Sequence, residues 1–372
     1  MTDARVALDL TIMRLGRTGP SVYIERLVAA LTPLLEDRLV PLASRFVAPL
    51  GARRSAADRL RTLGRDLWWH QLGVSLAARR ARADLLHLPA GLGPVRPLVP
   101  TVVTIHDAIV LRFPHLFRPW QRRYAQVVLR RLARSAAAVI TGSQAARADV
   151  IEYLEAAPNR IVVVPYGVDT AFTPAPPDGV EARTIVERYR LPAAFVLTVG
   201  AVEPRKNLRR VLEAVHRLRS RASTADVSLV HAGPEGWLAD DVPRAVRALG
   251  LGEAARFLGY VEAADLRVLY SLARVFVYPS LWEGFGLPVT EAMACGCPVV
   301  TSCVSSLPEV AGGAALLVNP ESVEEISAAI ERVWSDEALR RDLAARGRER
   351  ARTFSWERTA RETLAVYERA LS

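Results

Sequence analysis

Lysine is nearly absent from this chain of 372 residues, and long apolar runs are absent too. Of the 49 basic residues only Lys206 is a lysine, which reflects either chance or a local requirement. No apolar run approaches the roughly 18 residues of a membrane-spanning helix. The N-terminus carries acidic residues and predicts a strand rather than a signal peptide. We therefore expect a cytoplasmic protein.

Cysteine is also scarce. Cys295, Cys297 and Cys303 form an odd-numbered group in one apolar segment, with no histidine nearby. A disulfide framework needs paired cysteines, and a metal site needs more ligands. The pattern predicts buried structural thiols and no metal.

What the sequence does contain is a repeated alternation of short apolar runs with helical periodicity, which is typical of α/β proteins with buried parallel strands. The first series of predicted strands comprises residues 5–10, 85–88, 101–105, 138–141 and 161–164. Residues 173–179 are rich in proline and glycine, as a linker is. A second series follows at 195–199, 227–232, 255–257, 275–278, 298–301 and 315–318, and the segment 323–371 is mostly helical in pattern.

The alternation predicts two doubly wound, Rossmann-like domains with a cleft between them. We place the first domain at residues 1–174, the second at 175–353, and a closing helix at 354–372. Ligands bind at the carboxyl ends of the strands in such sheets.

Two motifs in the second half carry charges at such strand ends. The strand at 195–199 runs into a turn at Gly200 and then to Arg205 and Lys206 before a helix, where a phosphate is well placed. Glu283 and Glu291 bracket a glycine-containing segment that enters another helix. The alternatives are that Arg205 and Lys206 are solvated charges at a helix start, that Glu283 is a turn residue, and that Glu291 is a buried helix acid paired with an arginine.

Taken together, the motifs resemble those of the family 4 retaining glycosyltransferases. The resemblance rests on the segments 200–207, 231–236, 257–261, 279–288 and 306–310, in the family's order. It implies a GT-B fold and retaining transfer of a hexose from a nucleoside-diphosphate sugar. No metal or cofactor is implied, because the sugar nucleotide is a co-substrate.

The resemblance also implies roles for single residues of the second half. Arg205 and Lys206 would bind the diphosphate, Glu283 the donor sugar, and Glu291 the ribose. Further donor contacts would come from Gly200, Tyr260, Val261 and the backbone of Phe285, Gly286 and Leu287.

In the first half the resemblance is looser. His106 follows a predicted strand where the family has a histidine facing the sugar, and a capped loop histidine is the alternative. Gly19 lies where the family has a glycine-rich loop, but Ser21 stands where a glycine is expected. Residues 354–372 resemble the helix that packs back on the first domain.

Basic stretches with aromatic residues occupy the first half. Residues 112–134 contain seven arginines and no acid, and residues 53–82 contain eight arginines and two acids. Such segments dock on anionic membranes, here the inner face of the plasma membrane, or are solvated faces of an arginine-biased chain. Nucleic-acid binding is physically possible but not expected.

The predicted function is transfer of a hexose, with GDP-mannose as the best candidate donor, to a glycan, a lipid-linked acceptor or a small molecule. Two alternatives stay open: an epimerase acting on a sugar nucleotide, and a non-catalytic protein that binds one. Incubation with donor alone distinguishes them.

Overall fold

The computed structural model describes residues 3–14, 18–44, 62, 64–236 and 241–372. The chain forms two compact units. One consists of Met1–Gly167 together with Ser355–Ser372, and the other of Val168–Phe354. Each has its own parallel six-stranded sheet.

The first unit is built on strands β1 to β6, which pair in the order β2-β1-β3-β4-β5-β6. Their bounds are Val6–Asp9, Leu39–Leu42, Leu85–Leu88, Thr101–Thr104, Ala138–Thr141 and Ile161–Val163. Four of these strands are buried along their whole length because helices cover both faces of the sheet.

Helices of the first unit begin at clear signals. Ser143 caps the helix Gln144–Leu154 by accepting a hydrogen bond from the N–H of Ala146. The others are Gly19–Leu35, Gly64–Gly73 continuing into Val74–Arg80, Ile109–Arg112, Pro119–Tyr124 continuing through Ala125–Leu129 and Arg130–Ser135, and Trp356–Leu371. The last packs against Gly19–Leu35, within the same unit.

The second unit is built on β7 to β12, in the order β9-β8-β7-β10-β11-β12. Their bounds are Val196–Val199, Leu229–Ala232, Ala255–Phe257, Val275–Tyr278, Val299–Ser302 and Leu316–Val318. The chain moves outward from β7 to β9 and then crosses to β10 on the other side. The carboxyl ends of β7 and β10 therefore flank the point where strand order reverses, which is where doubly wound sheets bind ligands.

Eight helices of four residues or more are described in the second unit. They are Val180–Tyr189, Leu208–Arg219, Asp241–Ala248, Ala263–Leu272, Leu287–Ala294, Leu307–Ala311, Val323–Ser335 and Glu337–Ala351. Leu208–Arg219 and Val323–Ser335 pack side by side against one face of the sheet. Val211, Val215, Ile330 and Trp334 belong to the apolar core that they close.

The fold class predicted from the sequence is confirmed: both sheets are parallel and doubly wound. The elements that escaped prediction include the edge strand Leu39–Leu42, which contains Pro41, and the helix Val180–Tyr189. The proline- and glycine-rich residues 173–179 lie within the second unit, where Ala175 donates its N–H to Ser271 Oγ at 3.0 Å.

One cysteine corrects the sequence analysis. Cys295 and Cys297 are buried, as expected, but Cys303 is exposed because it lies just beyond the end of β11. Along the described part of the chain, no helix has the length and apolarity needed to span a membrane.

Candidate functional site

A cationic turn follows β7. The chain leaves the strand at Gly200, whose φ of +130° suits glycine, and reaches the single turn Pro204–Lys206. Asn207 then starts the helix Leu208–Arg219 in the left-handed region, with φ at +62°. The cations of this turn are thus held at the carboxyl edge of the sheet.

Asn207, which the sequence analysis passed over, ties this turn to its neighbours. Its side-chain amide is buried and donates to the carbonyls of Pro279, at 2.9 Å, and Pro320, at 2.6 Å. Its Oδ1 accepts from Arg210 at 2.9 Å. A polar residue at a strand-to-helix corner was the available signal.

Glu283 brings the two predicted cations together. Its Oε2 accepts from Arg205 Nη1 at 2.9 Å, and its Oε1 accepts from Lys206 Nζ at 2.7 Å. The Glu283 side chain is only 8% exposed, and those of Arg205 and Lys206 are 21% and 14% exposed. The carboxylate after β10 therefore meets both cations after β7, at the switch point of the sheet.

Tyr278 and Glu203 complete this cluster, and neither was predicted. Tyr278 ends β10, and its buried hydroxyl donates to Glu283 Oε1 at 2.9 Å while accepting from Lys206 Nζ. Glu203 Oε2 accepts from Arg205 Nε at 2.9 Å. We call Glu203, Arg205, Lys206 and Glu283 the charged quartet.

Charge interactions dominate the ionisation of Glu283. Burial alone would raise the pKa of its carboxyl, but Arg205 and Lys206 lower that pKa to about 2. Burial and the nearby Arg205 lower the pKa of Lys206, against the pull of Glu283. Glu283 is therefore ionised at neutral pH, and Arg205 and Lys206 are held beside it at the edge of the sheet.

Ser305 and Ser306 hydrogen-bond to the backbone of the loop that begins at Glu283. The N–H of Glu283 donates to Ser305 Oγ at 3.2 Å. Ser306 Oγ lies 3.0 Å from the Glu283 carbonyl and 2.7 Å from that of Phe285. Gly286 then begins the helix Leu287–Ala294 with φ at +105°, and a Cβ there would lie 2.7 Å from Leu307 Cδ2.

Glu291 has a different environment. It lies in the helix Leu287–Ala294 and accepts a hydrogen bond from the hydroxyl of Tyr270 at 3.1 Å. Among the residues that the structure describes, the alternative of an arginine pair is not observed. Burial, with a smaller contribution from the charge of Asp169, raises the pKa of Glu291 to about 7. Glu283 thus has a lowered pKa and Glu291 a raised one.

The turns after β7, β8 and β9 each contain a glycine: Gly200, Gly233 and Gly259. Gly233 donates its N–H to the carbonyl of Gly259 at 2.8 Å, and a Cβ on Gly233 would lie 1.9 Å from the carbonyl oxygen of Gly200. The turn at Gly233 therefore lies between the Gly200 turn and the loop from Gly259. On it, Tyr260 is exposed and Val261 is buried.

The remaining two predicted residues lie in the first unit. His106 follows β4, and its Nε2 lies 3.0 Å from the carbonyl of Pro89, which only an N–H can satisfy. Nδ1 then accepts from Tyr166 OH at 2.6 Å, and burial lowers the histidine's pKa to about 4. Gly19 is the first residue of the helix Gly19–Leu35, where Thr18 and Ser21 form a capping box. Ser21 thus fits a helix start, while residues 15–17 of the predicted loop lie outside the described residues.

A polar cluster at the carboxyl end of β1 was not predicted. Asp9 is buried and accepts from Thr11 Oγ1 at 2.5 Å and from Trp69 Nε1 at 3.3 Å. Burial raises its pKa. Among the residues described, no group of three or more His, Cys, Asp or Glu side chains could hold a metal ion.

The paired cations and the carboxylate lie at the switch point of the second sheet, beside a glycine-lined edge, and the two parallel, doubly wound sheets define a two-domain Rossmann-like protein of the glycosyltransferase class. Residues 19–172 match the model of the family described as "Glycosyltransferase Family 4", and residues 186–350 match "Glycosyl transferases group 1". The chain belongs to this family of glycosyltransferases.

Individual relatives agree with this assignment. The chain is 37% identical over 268 residues to O-antigen chain mannosyltransferase B of Escherichia coli, covering 72% of this chain and 69% of that protein. It is 34% identical over 278 residues to the serotype-specific mannosyltransferase WbdA of Escherichia coli, covering 73% of this chain but only 34% of the relative. Sucrose-phosphate synthase of Thermosynechococcus elongatus has the same fold, with a TM-score of 0.77 at 22% identity over 98% of each chain.

Proposed function

We propose that this glycosyltransferase moves a mannosyl group from GDP-mannose to a hydroxyl of a glycan, with retention at the anomeric carbon and without a metal. The observation that carries the proposal is the contact of Glu283 with Arg205 and Lys206 at the switch point of the second sheet. Mannose is favoured because both curated relatives described above are mannosyltransferases. Glycolipid and small-molecule acceptors, and other nucleotide bases, are alternatives within the same chemistry.

The proposed reaction breaks the bond between the anomeric carbon and the diphosphate oxygen. Negative charge then grows on the leaving diphosphate, where Arg205 and Lys206 would stabilise it. The acceptor oxygen bonds to the anomeric carbon from the same face, and its proton passes to the departing phosphate. Glu283 would orient the sugar through its hydroxyls, and Glu291 would hold the ribose.

The test is a panel of donors with a mannan oligosaccharide as acceptor. We expect release of GDP and a product whose new linkage keeps the donor's anomeric configuration, read by NMR coupling constants. Activity should persist in a metal chelator. Inversion, or strict dependence on added metal, would contradict the corresponding part of the proposal, and a new sugar nucleotide from donor alone would favour an epimerase.

A variant pair tests the assignment of Glu283. Glu283→Ala should abolish transfer while thermal unfolding shows a folded protein. Glu181→Ala is the matched control, because Glu181 is an exposed glutamate of the same unit and is ion-paired with Arg267, outside the quartet. Full activity of Glu283→Ala would rule out its role.

We further propose that the protein acts in the cytoplasm against an anionic membrane surface. Along Pro119–Ser135, Trp120 is 61% and Val127 is 39% exposed, and Arg123, Arg131 and Arg134 are exposed as well. Their spacing puts them along one side of the helical segment, which contains no acid. In the other predicted basic stretch, Arg53, Arg54, Arg59 and Arg61 lie outside the described residues.

Vesicle binding tests this surface. We expect the protein to sediment with vesicles containing phosphatidylglycerol and not with pure phosphatidylcholine, and salt to weaken binding. The double variant Arg123→Ser/Arg131→Ser should bind less. Arg209→Ser/Arg341→Ser, which removes two exposed arginines of the second unit, is the control. If both double variants lost vesicle binding equally, net charge and not this surface would account for the binding.

A further inference from the structure

We infer that Glu283 binds Arg205 and Lys206 until a donor arrives, and that the sugar hydroxyls of the donor then hold Glu283 away from these two cations, which would bind the diphosphate. The site then favours the intact donor over the free nucleoside diphosphate. This inference rests on the proposed function and adds to it a means of product release. It is carried by the contacts of the charged quartet, all of which lie in the second unit.

The quartet pairs two basic side chains, Arg205 and Lys206, with two carboxyl side chains, Glu203 and Glu283, and each is at most 21% exposed. A diphosphate brings negative charge on each phosphate. If it simply joined the quartet, the buried site would gain a net negative charge, which a poorly solvated environment strongly opposes.

The geometry singles out Glu283 as the carboxylate that must give way. It holds both cations, through Oε2 on Arg205 and Oε1 on Lys206. Of the two cations, Glu203 is hydrogen-bonded to Arg205, through Nε, so it orients the guanidinium without blocking Lys206. A diphosphate that takes both cations therefore displaces Glu283 and can leave Glu203 in place.

A displaced Glu283 needs new hydrogen-bond donors, because leaving a buried carboxylate short of partners is costly. Tyr278 OH already donates to Oε1 and can continue to do so. The further donors are the sugar hydroxyls, which the intact donor brings and the free nucleoside diphosphate lacks. Once the sugar has been transferred, Glu283 loses those hydroxyls and competes again for Lys206 and Arg205.

Calorimetric affinities for GDP and GDP-mannose test the inference without any measurement of turnover, with UDP and UDP-glucose run in parallel. Glu283→Gln keeps the shape of the side chain and removes its charge. We expect it to bind GDP about tenfold more tightly than the unchanged protein, which corresponds to roughly 1.4 kcal/mol. GDP-mannose should gain less, because it also loses a charged acceptor for its hydroxyls. The ratio of the GDP-mannose affinity to the GDP affinity should therefore be smaller in Glu283→Gln than in the unchanged protein.

Glu203→Gln is the matched control, because it removes the same charge from the same quartet. It should alter the two affinities by similar factors and leave their ratio unchanged. If both variants change the ratio equally, net charge alone is responsible and the inference is wrong. If Glu283→Gln binds GDP no more tightly than the unchanged protein, the inference also fails, while donor binding and transfer can still stand.

Absence of binding by the unchanged protein to all four ligands would overturn both the inference and the proposed function. Should Glu283→Gln fail to fold, Glu283→Asp replaces it, since its shorter side chain reaches the two cations less well. The same narrowing of the ratio, smaller in size, is then expected, and an unchanged ratio would overturn the inference.

Discussion

Glu291 shows how a single side chain can make ligand affinity depend on pH. Its pKa lies near 7, so it is largely protonated at pH 6. If its ionised form accepts the ribose hydroxyls, nucleotide binding lowers that pKa and releases a proton. Affinity should rise as the pH increases through 7 and become level above it.

Calorimetry at pH 6 in two buffers of different ionisation enthalpy measures that proton release. Glu291→Gln should release none and should bind more weakly above pH 7. Linkage gives an independent check on stability: the folded pKa exceeds the ordinary 4.5, so the stabilisation due to this group falls as pH rises from 4.5 to 7. Equal proton release by both proteins would exclude Glu291 as its source.

Single residues also show what the sequence could not supply. Lys206 stood out because no other lysine occurs, and the structure gives it contacts with Glu283 and Tyr278. Tyr278, Glu203 and Asn207 escaped prediction because their partners lie far along the chain or across a turn. The donor, catalytic and ribose-binding roles given to the predicted site residues stay predictions.

At the scale of elements, the helix Leu287–Ala294 depends on Gly286. Alanine there would have to adopt φ near +105° and would place its Cβ 2.7 Å from Leu307 Cδ2. Strained backbone of this kind costs about 1–3 kcal/mol, and the crowding adds to it. We expect Gly286→Ala to destabilise the second unit and to weaken donor binding, because the adjacent loop carries Glu283.

Gly313→Ala is the control for Gly286→Ala. Gly313 has φ at +82°, but no atom of the described residues lies within 4 Å of the position of its Cβ. Denaturant unfolding should show a smaller loss in the free energy of unfolding for Gly313→Ala than for Gly286→Ala. The nucleotide affinity of Gly313→Ala should be unchanged. Similar losses of both stability and affinity in the two variants would mean that contact with Leu307 is unimportant.

Most elements followed from local pattern. The strands 85–88, 138–141, 255–257 and 275–278 were predicted to the residue, because buried parallel strands are short apolar runs between turns. Leu39–Leu42 was missed because it is an edge strand only partly buried and interrupted by Pro41. Val180–Tyr189 was missed because it directly follows a segment rich in proline and glycine.

At the scale of the whole molecule, the C-terminal helix Trp356–Leu371 belongs to the first unit although the second unit precedes it in the chain. The hydroxyl oxygen of Tyr367 lies 2.7 Å from Nδ1 of the buried His87, and Thr359 Oγ1 donates to the carbonyl of Pro165 at 2.8 Å. Tyr367→Phe leaves a buried polar group without that partner and should cost the first unit about 1–3 kcal/mol.

Scanning calorimetry should show the loss from Tyr367→Phe in one of two transitions. A chain ending at Phe354 should lose the cooperative transition of the first unit altogether. Tyr189→Phe removes a hydroxyl that contacts Asp265 in the second unit, and it should leave the first unit's transition unchanged. A uniform shift of both transitions in Tyr367→Phe would contradict a role confined to one unit.

The sequence by itself determined the alternation of strands and helices, the two doubly wound sheets, the family resemblance and the four charged positions, because hydrophobic periodicity and turn chemistry are local properties of the chain. Only the tertiary structure decided that Glu283 binds both cations, that Glu291 pairs with Tyr270, and that His106 has both ring nitrogens engaged. These outcomes depend on which strand ends meet at a sheet edge and on how much water reaches each group, and neither is encoded in the spacing of residues.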